Sequence, residues 1–267
     1  MLIDRACAYG DGLFETIAIR DGQPRLWPLH FARIQTGCMR LGLECPTSEF
    51  LLELVNIELN ASKFDSAYAS ARLVISAAAS ARGYRRNPAG GCLAEVTLYP
   101  AKPLDKNSAR NGIAIRMCSS RLAIQPALAG IKSLNRLEQV IARSEWDDDE
   151  VLEGLMLDTD GRLICGTMSN VFLIKGTRVF TPAITRCGVS GVMRALVLRL
   201  FEESGLDCEV RDVRAEELDT ATELFLSNSQ FGILPIRRCD LREFDVGAMT
   251  RQAQTLLASN GVPECSF

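Results

Sequence analysis

Histidine is almost absent from this chain, because His30 is the only one among its 267 residues. A zinc site built from several histidines is therefore excluded, and a Ser-His-Asp triad would have to use His30. His30 opens a helical pattern that begins at Trp27, a setting in which packed or capping histidines outnumber catalytic ones. We therefore assign His30 a structural role and expect no metal site.

The chain also lacks a surplus of basic charge, long apolar runs and paired cysteines. Its net charge is -3 and it has no basic stripe, which argues against nucleic acid as a partner. No apolar run approaches the length of a membrane span, and the first residues lack the layout of a signal peptide. The 10 cysteines are scattered without a Cys-x-x-Cys pair, so we expect reduced thiols and a cytoplasmic protein.

Lysine is scarce too, with five among the 30 basic residues, and this scarcity draws attention to Lys132. Lys132 follows Gly130 and Ile131 and precedes an amphipathic helical pattern over 134–146. A buried lysine amine can become neutral and nucleophilic, so Lys132 is a candidate Schiff-base lysine. A half-exposed lysine at a helix start explains the spacing equally well, and the spacing alone leaves both interpretations open.

The order of elements predicts an α+β chain with a strand-rich second half that resembles a barrel. Helices are predicted over 29–41, 49–60 and 134–146, and the polar stretch 100–112 is interpreted as a linker. Glycine-rich nucleotide-binding loops are absent. We expect an N-terminal α+β domain over 1–105, a linker and first strand over 106–130, and a C-terminal barrel-like domain over 131–267.

Several separated segments together resemble the fold-type IV pyridoxal-phosphate enzymes. This group includes branched-chain aminotransferases, D-amino acid aminotransferases and aminodeoxychorismate lyases. The resemblance covers nearly the whole chain and implies a smaller N-terminal α/β sandwich domain and a larger C-terminal pseudo-barrel domain. The segments are Tyr9-Gly10-Asp11-Gly12-Leu13-Phe14-Glu15-Thr16, His30-Phe31-Ala32-Arg33-Ile34, Ile131-Lys132-Ser133-Leu134-Asn135, Gly166-Thr167-Met168-Ser169-Asn170-Val171-Phe172 and Gly188-Val189-Ser190-Gly191-Val192-Met193-Arg194.

The resemblance implies a role for each matching residue of the cofactor site. Lys132 would carry pyridoxal 5'-phosphate as a Schiff base and act as nucleophile and general base. Arg33 would grip the cofactor phosphate, and the backbone amides of Val192 and Met193 would bind it at a helix N-terminus. Ser229 would add a hydroxyl to the phosphate site, although a simple turn residue explains it equally well.

The segment Asn135-Arg136-Leu137-Glu138-Gln139 is similar to that of the aminodeoxychorismate lyases. The resemblance implies conversion of 4-amino-4-deoxychorismate to 4-aminobenzoate and pyruvate, in folate biosynthesis, by a homodimer. Arg82, Tyr84 and Arg85 lie in a basic loop and become candidates for the substrate carboxylates, unless the loop is merely solvated. Thr16 would protonate the leaving group or simply line the pocket wall.

Two departures from the family pattern leave alternatives open. Cys165 stands where most members carry a glutamate that keeps the pyridine nitrogen protonated, and a thiol cannot hold that proton in the same way. This favours elimination over transamination. The alternatives are a D-amino acid or branched-chain-type aminotransferase, or a catalytically weak pyridoxal-phosphate-binding paralogue. In the family pattern about a dozen more residues precede the segment at Asp4 and form an edge strand, so we expect either that this strand is missing, which would expose a sheet edge, or that the true start lies upstream.

Overall fold

A computed structural model describes residues 4–64, 68–80, 82–87, 89–103 and 105–266. The chain divides into two compact units, Met1–Pro103 with Ile131–Asn135, and Leu104–Gly130 with Arg136–Phe267. Ile131–Asn135 thus groups with the first unit, whereas the sequence analysis assigned it to the second domain. The reason is local, because Ser133 forms an antiparallel bridge with Leu13.

The elements of the first unit are α1 (Arg5–Tyr9), β1 (Gly12–Arg20), β2 (Gln23–Pro24), α2 (Trp27–Leu41), α3 (Ser48–Ala61), β3 (Tyr68–Ala77) and β4 (Cys92–Pro100). The strands form an antiparallel sheet in the order β2-β1-β3-β4, which is covered by helices. α2 packs against β1 and α3 against β4, so the unit is an α/β sandwich. Its core includes the fully buried side chains of Ile17, Leu51 and Leu73.

The elements of the second unit are α4 (Lys106–Asn111), β5 (Ile113–Leu122), α5 (Leu137–Arg143), β6 (Val151–Asp158), β7 (Arg162–Gly166), β8 (Asn170–Lys175), β9 (Arg178–Pro182), α6 (Val192–Glu203), β10 (Cys208–Arg211), β11 (Val213–Arg214), β12 (Glu223–Asn228), β13 (Gly232–Cys239), β14 (Arg242–Glu243) and α7 (Ala248–Ala258). The strands form a larger sheet in the order β10-β9-β8-β12-β13-β5-β6-β7-β11, with β14 paired to β13. Apolar side chains from most of these strands form one buried cluster, as expected for a pseudo-barrel.

The fold-class prediction is confirmed, whereas the bounds of one predicted helix are wrong. The stretch 100–112, interpreted as a linker, contains the boundary between the two units after Pro103 and also a short helix, because the Asp105 carboxylate accepts hydrogen bonds from the backbone N–H groups of Asn107 and Ser108 and starts α4. The helix predicted over 134–146 covers only Leu137–Arg143. None of the helices within the described ranges is long and apolar enough to cross a membrane.

Candidate active site

Lys132 lies on an extended segment that pairs with the first strand of the sheet. Its carbonyl accepts a hydrogen bond from Phe14 N–H at 2.9 Å, and Leu134 N–H donates to Gly12 O at 3.0 Å. The Lys132 side chain is half-buried, and its Nζ lies 4.2 Å from the centroid of the Phe14 ring. The backbone of Lys132 is therefore fixed by strand pairing rather than by a helix start.

Arg72 and Thr16 occupy the same face of β1 and β3 as Phe14. Thr16 and Arg72 are direct partners in the antiparallel register, and residues two apart on a strand face the same side. The guanidinium carbon of Arg72 lies 4.8 Å from the Phe14 ring centroid, so this ring is close to both a guanidinium and the Lys132 amine. The sequence analysis missed Arg72, because only the strand register brings it beside Thr16.

The opposite face of β1 carries a buried cluster around Glu15. His30 Nδ1 lies 2.6 Å from Glu15 Oε2, and Arg33 donates from Nε at 2.8 Å to Oε1 and from Nη2 at 2.5 Å to Oε2. Burial raises the pKa of Glu15, but the Arg33 and His30 side chains outweigh it and lower that pKa to about 2. Burial lowers the pKa of His30, so the imidazole is neutral near pH 7 and serves to position Glu15.

In the second unit, the N-terminus of α6 suits an anion. Gly191 precedes the helix, none of the described side chains caps it, and its first turn carries no acidic residue. The backbone N–H groups of Val192 and Met193 therefore lie at the positive end of the helix dipole. A side chain at Gly191 would collide with Asn170, which shows how closely this helix start approaches β8.

Ser227 adds a hydroxyl near this helix start. It pairs directly with Asn170 across β8 and β12, and its side chain is 1% exposed. Within the described parts of the chain its Oγ has no hydrogen-bond partner, an arrangement that costs free energy unless a ligand satisfies it. An incoming phosphate oxygen would supply that partner, so the residues present fit a phosphate group. Ser229, the candidate hydroxyl suggested by the sequence, is half-buried two residues further along the chain, and Ser227 carries no signal in the sequence.

Cys165 lies on β7, opposite Met156 of β6, and is 6% exposed. Burial raises the pKa of its thiol far above the usual range, with a further contribution from Glu153, while Arg136 acts weakly in the opposite direction. Cys165 is therefore a neutral thiol at physiological pH. The nearby Glu153 carboxylate is engaged with the turn after β7, where it accepts hydrogen bonds from Met168 N–H at 3.1 Å and from Ser169 Oγ at 2.9 Å.

The three predicted substrate residues lie together on the loop between β3 and β4. Arg82, Tyr84 and Arg85 are all exposed, and Tyr84 is 86% accessible. The exposure of these side chains is consistent with a solvated loop and equally with a ligand-binding loop. Hydrogen bonds from the buried Arg5 guanidinium to the carbonyls of Gly83 and Tyr84 distinguish this loop from an ordinary surface turn.

A sheet-held lysine and a helix start suited to phosphate are features of pyridoxal-phosphate enzymes. The chain belongs to the amino-transferase class IV family, whose model matches residues 12–239. It is 33% identical to an aminodeoxychorismate lyase from Vibrio harveyi over 94% of this chain and 93% of that protein. It is 28% identical to a putative branched-chain-amino-acid aminotransferase from Methanocaldococcus jannaschii, over 94% of this chain and 87% of that protein.

A solved structure supports the same grouping. The crystal structure of 4-amino-4-deoxychorismate lyase from Pseudomonas aeruginosa is 40% identical, with a TM-score of 0.90, and covers 97% of this chain and 94% of that one. The resemblance to fold-type IV enzymes seen in the sequence is thus confirmed. Members of that group depend on pyridoxal phosphate.

Proposed function

We propose that this protein is a pyridoxal-phosphate-dependent lyase that converts 4-amino-4-deoxychorismate into 4-aminobenzoate and pyruvate. The observation that carries the proposal is the placement of the Lys132 amine and the Arg72 guanidinium around one ring, that of Phe14. An amine for covalent chemistry and a cation for a substrate carboxylate are thereby close to each other. The 33% and 40% identities to lyases favour this substrate over an amino acid.

Lys132 provides the covalent attachment and the proton transfers. With the cofactor bound, Lys132 Nζ would be its point of attachment, and once the substrate amine had taken that place the freed Nζ would accept the proton from the ring carbon that bears this amine. When bound, the cofactor supplies the electron sink for the resulting negative charge. The bond between the neighbouring ring carbon and the enolpyruvyl oxygen then breaks, and the ring becomes aromatic. Thr16 Oγ1 is our candidate for delivering a proton to the departing enolpyruvate, which becomes pyruvate.

Other side chains of the chain bind and orient. Arg33, Val192, Met193 and the Ser227 hydroxyl are proposed to hold the cofactor phosphate, with Ser229 as a further candidate. Arg72, Arg82 and Arg85 are proposed to bind the two substrate carboxylates, with Tyr84 beside them. Cys165 is proposed to face the pyridine nitrogen. Because its thiol stays neutral, it leaves that nitrogen without the ionic partner that favours transamination.

The wider proposal includes a role in folate biosynthesis, a homodimeric assembly and a cytoplasmic location. An exposed apolar stripe on α5, formed by Leu137, Val140 and Ile141, supports the dimer, because these side chains are 75%, 58% and 60% exposed. The free thiols, which include the exposed Cys7 and the buried Cys38, suit a reducing compartment.

The test measures product from two substrate sets. Purified protein loaded with pyridoxal phosphate is incubated with aminodeoxychorismate and assayed for 4-aminobenzoate, and separately with D-alanine plus 2-oxoglutarate and assayed for glutamate. We expect 4-aminobenzoate and little glutamate. Borohydride reduction followed by peptide mapping should label the peptide that contains Lys132.

Lys132→Ala should abolish both the label and the product, whereas the exposed Lys106→Ala serves as the matched control and should retain both. If glutamate is the main product, the protein is an aminotransferase and the proposed lyase function is wrong. A cofactor that is bound at Lys132 without any turnover would instead establish the non-catalytic paralogue.

A further inference from the structure

Asp11 joins two arginines beneath the loop that carries Arg82, Tyr84 and Arg85. Its Oδ2 accepts a hydrogen bond from Arg5 Nε at 2.7 Å and another from Arg86 Nε at 2.9 Å. Arg86 Nη2 also donates to Asp11 Oδ1. Asp11 is thus a single carboxylate that binds a guanidinium from α1 and a guanidinium from the loop between β3 and β4.

Arg5 continues from Asp11 into the backbone of the loop. Its Nη1 donates to Gly83 O at 3.0 Å and to Ser80 Oγ at 2.9 Å, and its Nη2 donates to Tyr84 O at 2.8 Å. Arg5 is only 3% exposed, so these bonds are shielded from water. One planar guanidinium therefore fixes two consecutive carbonyl groups of the loop.

The far side of the loop is held as well. Arg86 Nη1 donates to Leu41 O at 2.5 Å and to Gly42 O at 3.1 Å, at the end of α2. Gly83 N–H donates to the hydroxyl of Tyr9 at 3.3 Å. Gly83 has a φ of 109°, a backbone conformation that glycine adopts without strain and that other residues rarely adopt.

These hydrogen bonds to residues 83 and 84 all involve the backbone of these residues. A side-chain contact is added by the rings of Tyr84 and Tyr9, which pack edge to face with their centroids 5.3 Å apart. The side chains of Arg82 and Arg85 remain exposed. A solvated loop has no need for a buried arginine that binds two of its carbonyls, because water satisfies such groups. The arrangement fixes the path of the backbone while it leaves the cationic side chains accessible.

We propose that Arg5 and Asp11 are positioning residues, which hold this loop so that Arg82 and Arg85 bind a carboxylate of the substrate. The proposal rests on the proposed lyase function for the identity of that substrate. Fixing the loop before binding removes the entropic cost of ordering it when the substrate arrives. Loss of the contacts that Arg5 and Asp11 make with the loop therefore weakens substrate binding and leaves the chemical steps at Lys132 unchanged.

The experiment is Asp11→Asn in the full-length, cofactor-loaded enzyme. We expect KM for aminodeoxychorismate to rise about tenfold while kcat stays within about twofold, since the lost interaction acts on binding. Trypsin should also cleave after Arg82 and Arg85 about tenfold faster than in the parent protein, because proteolysis follows local opening. Arg86→Lys keeps the charge but loses the two-pronged contact, and should move both readouts in the same direction.

Asp21→Asn is the matched control, because it removes the same charge from an exposed turn of the same unit. It should leave KM and the trypsin rates as in the parent. Unchanged KM and unchanged cleavage in both Asp11→Asn and Arg86→Lys would overturn the proposal, as would an equal fall in kcat and kcat/KM. If the parent enzyme forms no 4-aminobenzoate, the proposed function fails. The trypsin cleavage rates then test by themselves whether Arg5 and Asp11 hold the loop, and equal rates in variant and parent would overturn that part of the proposal.

Discussion

Glu15 and Arg33 form a two-pronged ion pair, with Arg33 Nε 2.8 Å from Oε1 and Nη2 2.5 Å from Oε2. The side chains are 3% and 12% exposed, so the pair is largely shielded from solvent. Arg33, which is proposed to bind the cofactor phosphate, is thus oriented by the buried carboxylate of Glu15. Glu15 cannot be replaced without leaving the guanidinium uncompensated.

Glu15→Gln should therefore lower the free energy of unfolding by about 3–5 kcal/mol, the usual cost of removing one partner of a buried pair. Urea denaturation of the protein without cofactor measures this directly. Glu53→Gln, on the exposed side of α3, is the matched control and should change stability by less than about 0.5 kcal/mol. An equally small effect in Glu15→Gln would show that the pair is not essential to the first unit.

Stability should fall in acid in two stages. Arg33 and His30 outweigh the effect of burial and hold the pKa of Glu15 at about 2, against 4.5 when unfolded, so its contribution is present above pH 4.5 and lost as the pH falls towards 2. Burial lowers the pKa of His30 from 6.5, so the unfolded chain takes up that proton first and stability already declines below pH 6.5. Urea midpoints between pH 7 and pH 3 would measure both stages. A flat profile through pH 4 would contradict the assignment to Glu15, whose Gln variant should lack the lower stage.

Ser227→Ala should change apoprotein stability and cofactor binding in opposite directions. Removal of a buried hydroxyl that has no hydrogen-bond partner within the described ranges should stabilise the apoprotein by about 1 kcal/mol. Removal of a phosphate ligand should weaken binding of pyridoxal phosphate about tenfold, with little effect on unphosphorylated pyridoxal. Thermal melts and cofactor titrations separate the two effects. Equal losses for both cofactors would place the hydroxyl away from the phosphate, and Ser229→Ala provides the comparison.

Cys165→Glu should strengthen the electron sink that the neutral thiol leaves weak. We expect a red shift in the absorbance of the bound cofactor and an increase of about tenfold in glutamate formed from D-alanine and 2-oxoglutarate, because a carboxylate favours the protonated ring nitrogen. Cys165→Ser keeps a neutral group and should change neither property. If Cys165→Glu alters neither the spectrum nor the side reaction, Cys165 does not face the pyridine nitrogen.

Ile141→Asp should convert the proposed dimer into a monomer, because it places a charge in the exposed apolar stripe of α5. Light scattering after gel filtration measures the mass. Leu241→Asp is the control, since Leu241 is 98% exposed and lies outside that stripe. A parent protein that is already monomeric would remove this part of the proposal without affecting the lyase chemistry.

The sequence by itself determined the fold class and the family, and it predicted Lys132 as the reactive lysine. Short segments such as Gly10-Asp11-Gly12 and Ile131-Lys132-Ser133 carry this information, because strand pairing and close backbone approach restrict which residues fit there. Helices α2 and α3 were predicted to within two residues at each end, since their apolar periodicity is strong. Helix α5 was predicted too long, because pairing with β1 holds the residues before it extended.

Only the tertiary structure decided which side chains meet. Arg72 faces Thr16 because of the β1–β3 register, and Arg5 reaches the carbonyls of Gly83 and Tyr84 across 78 and 79 residues of sequence. Burial leaves the Ser227 hydroxyl without a hydrogen-bond partner among the residues that the structure describes. None of these relationships has a local signal, since each depends on strands or loops that are distant along the chain. The sequence therefore indicated the class of reaction, and the tertiary packing determined which side chains lie close enough to orient one another.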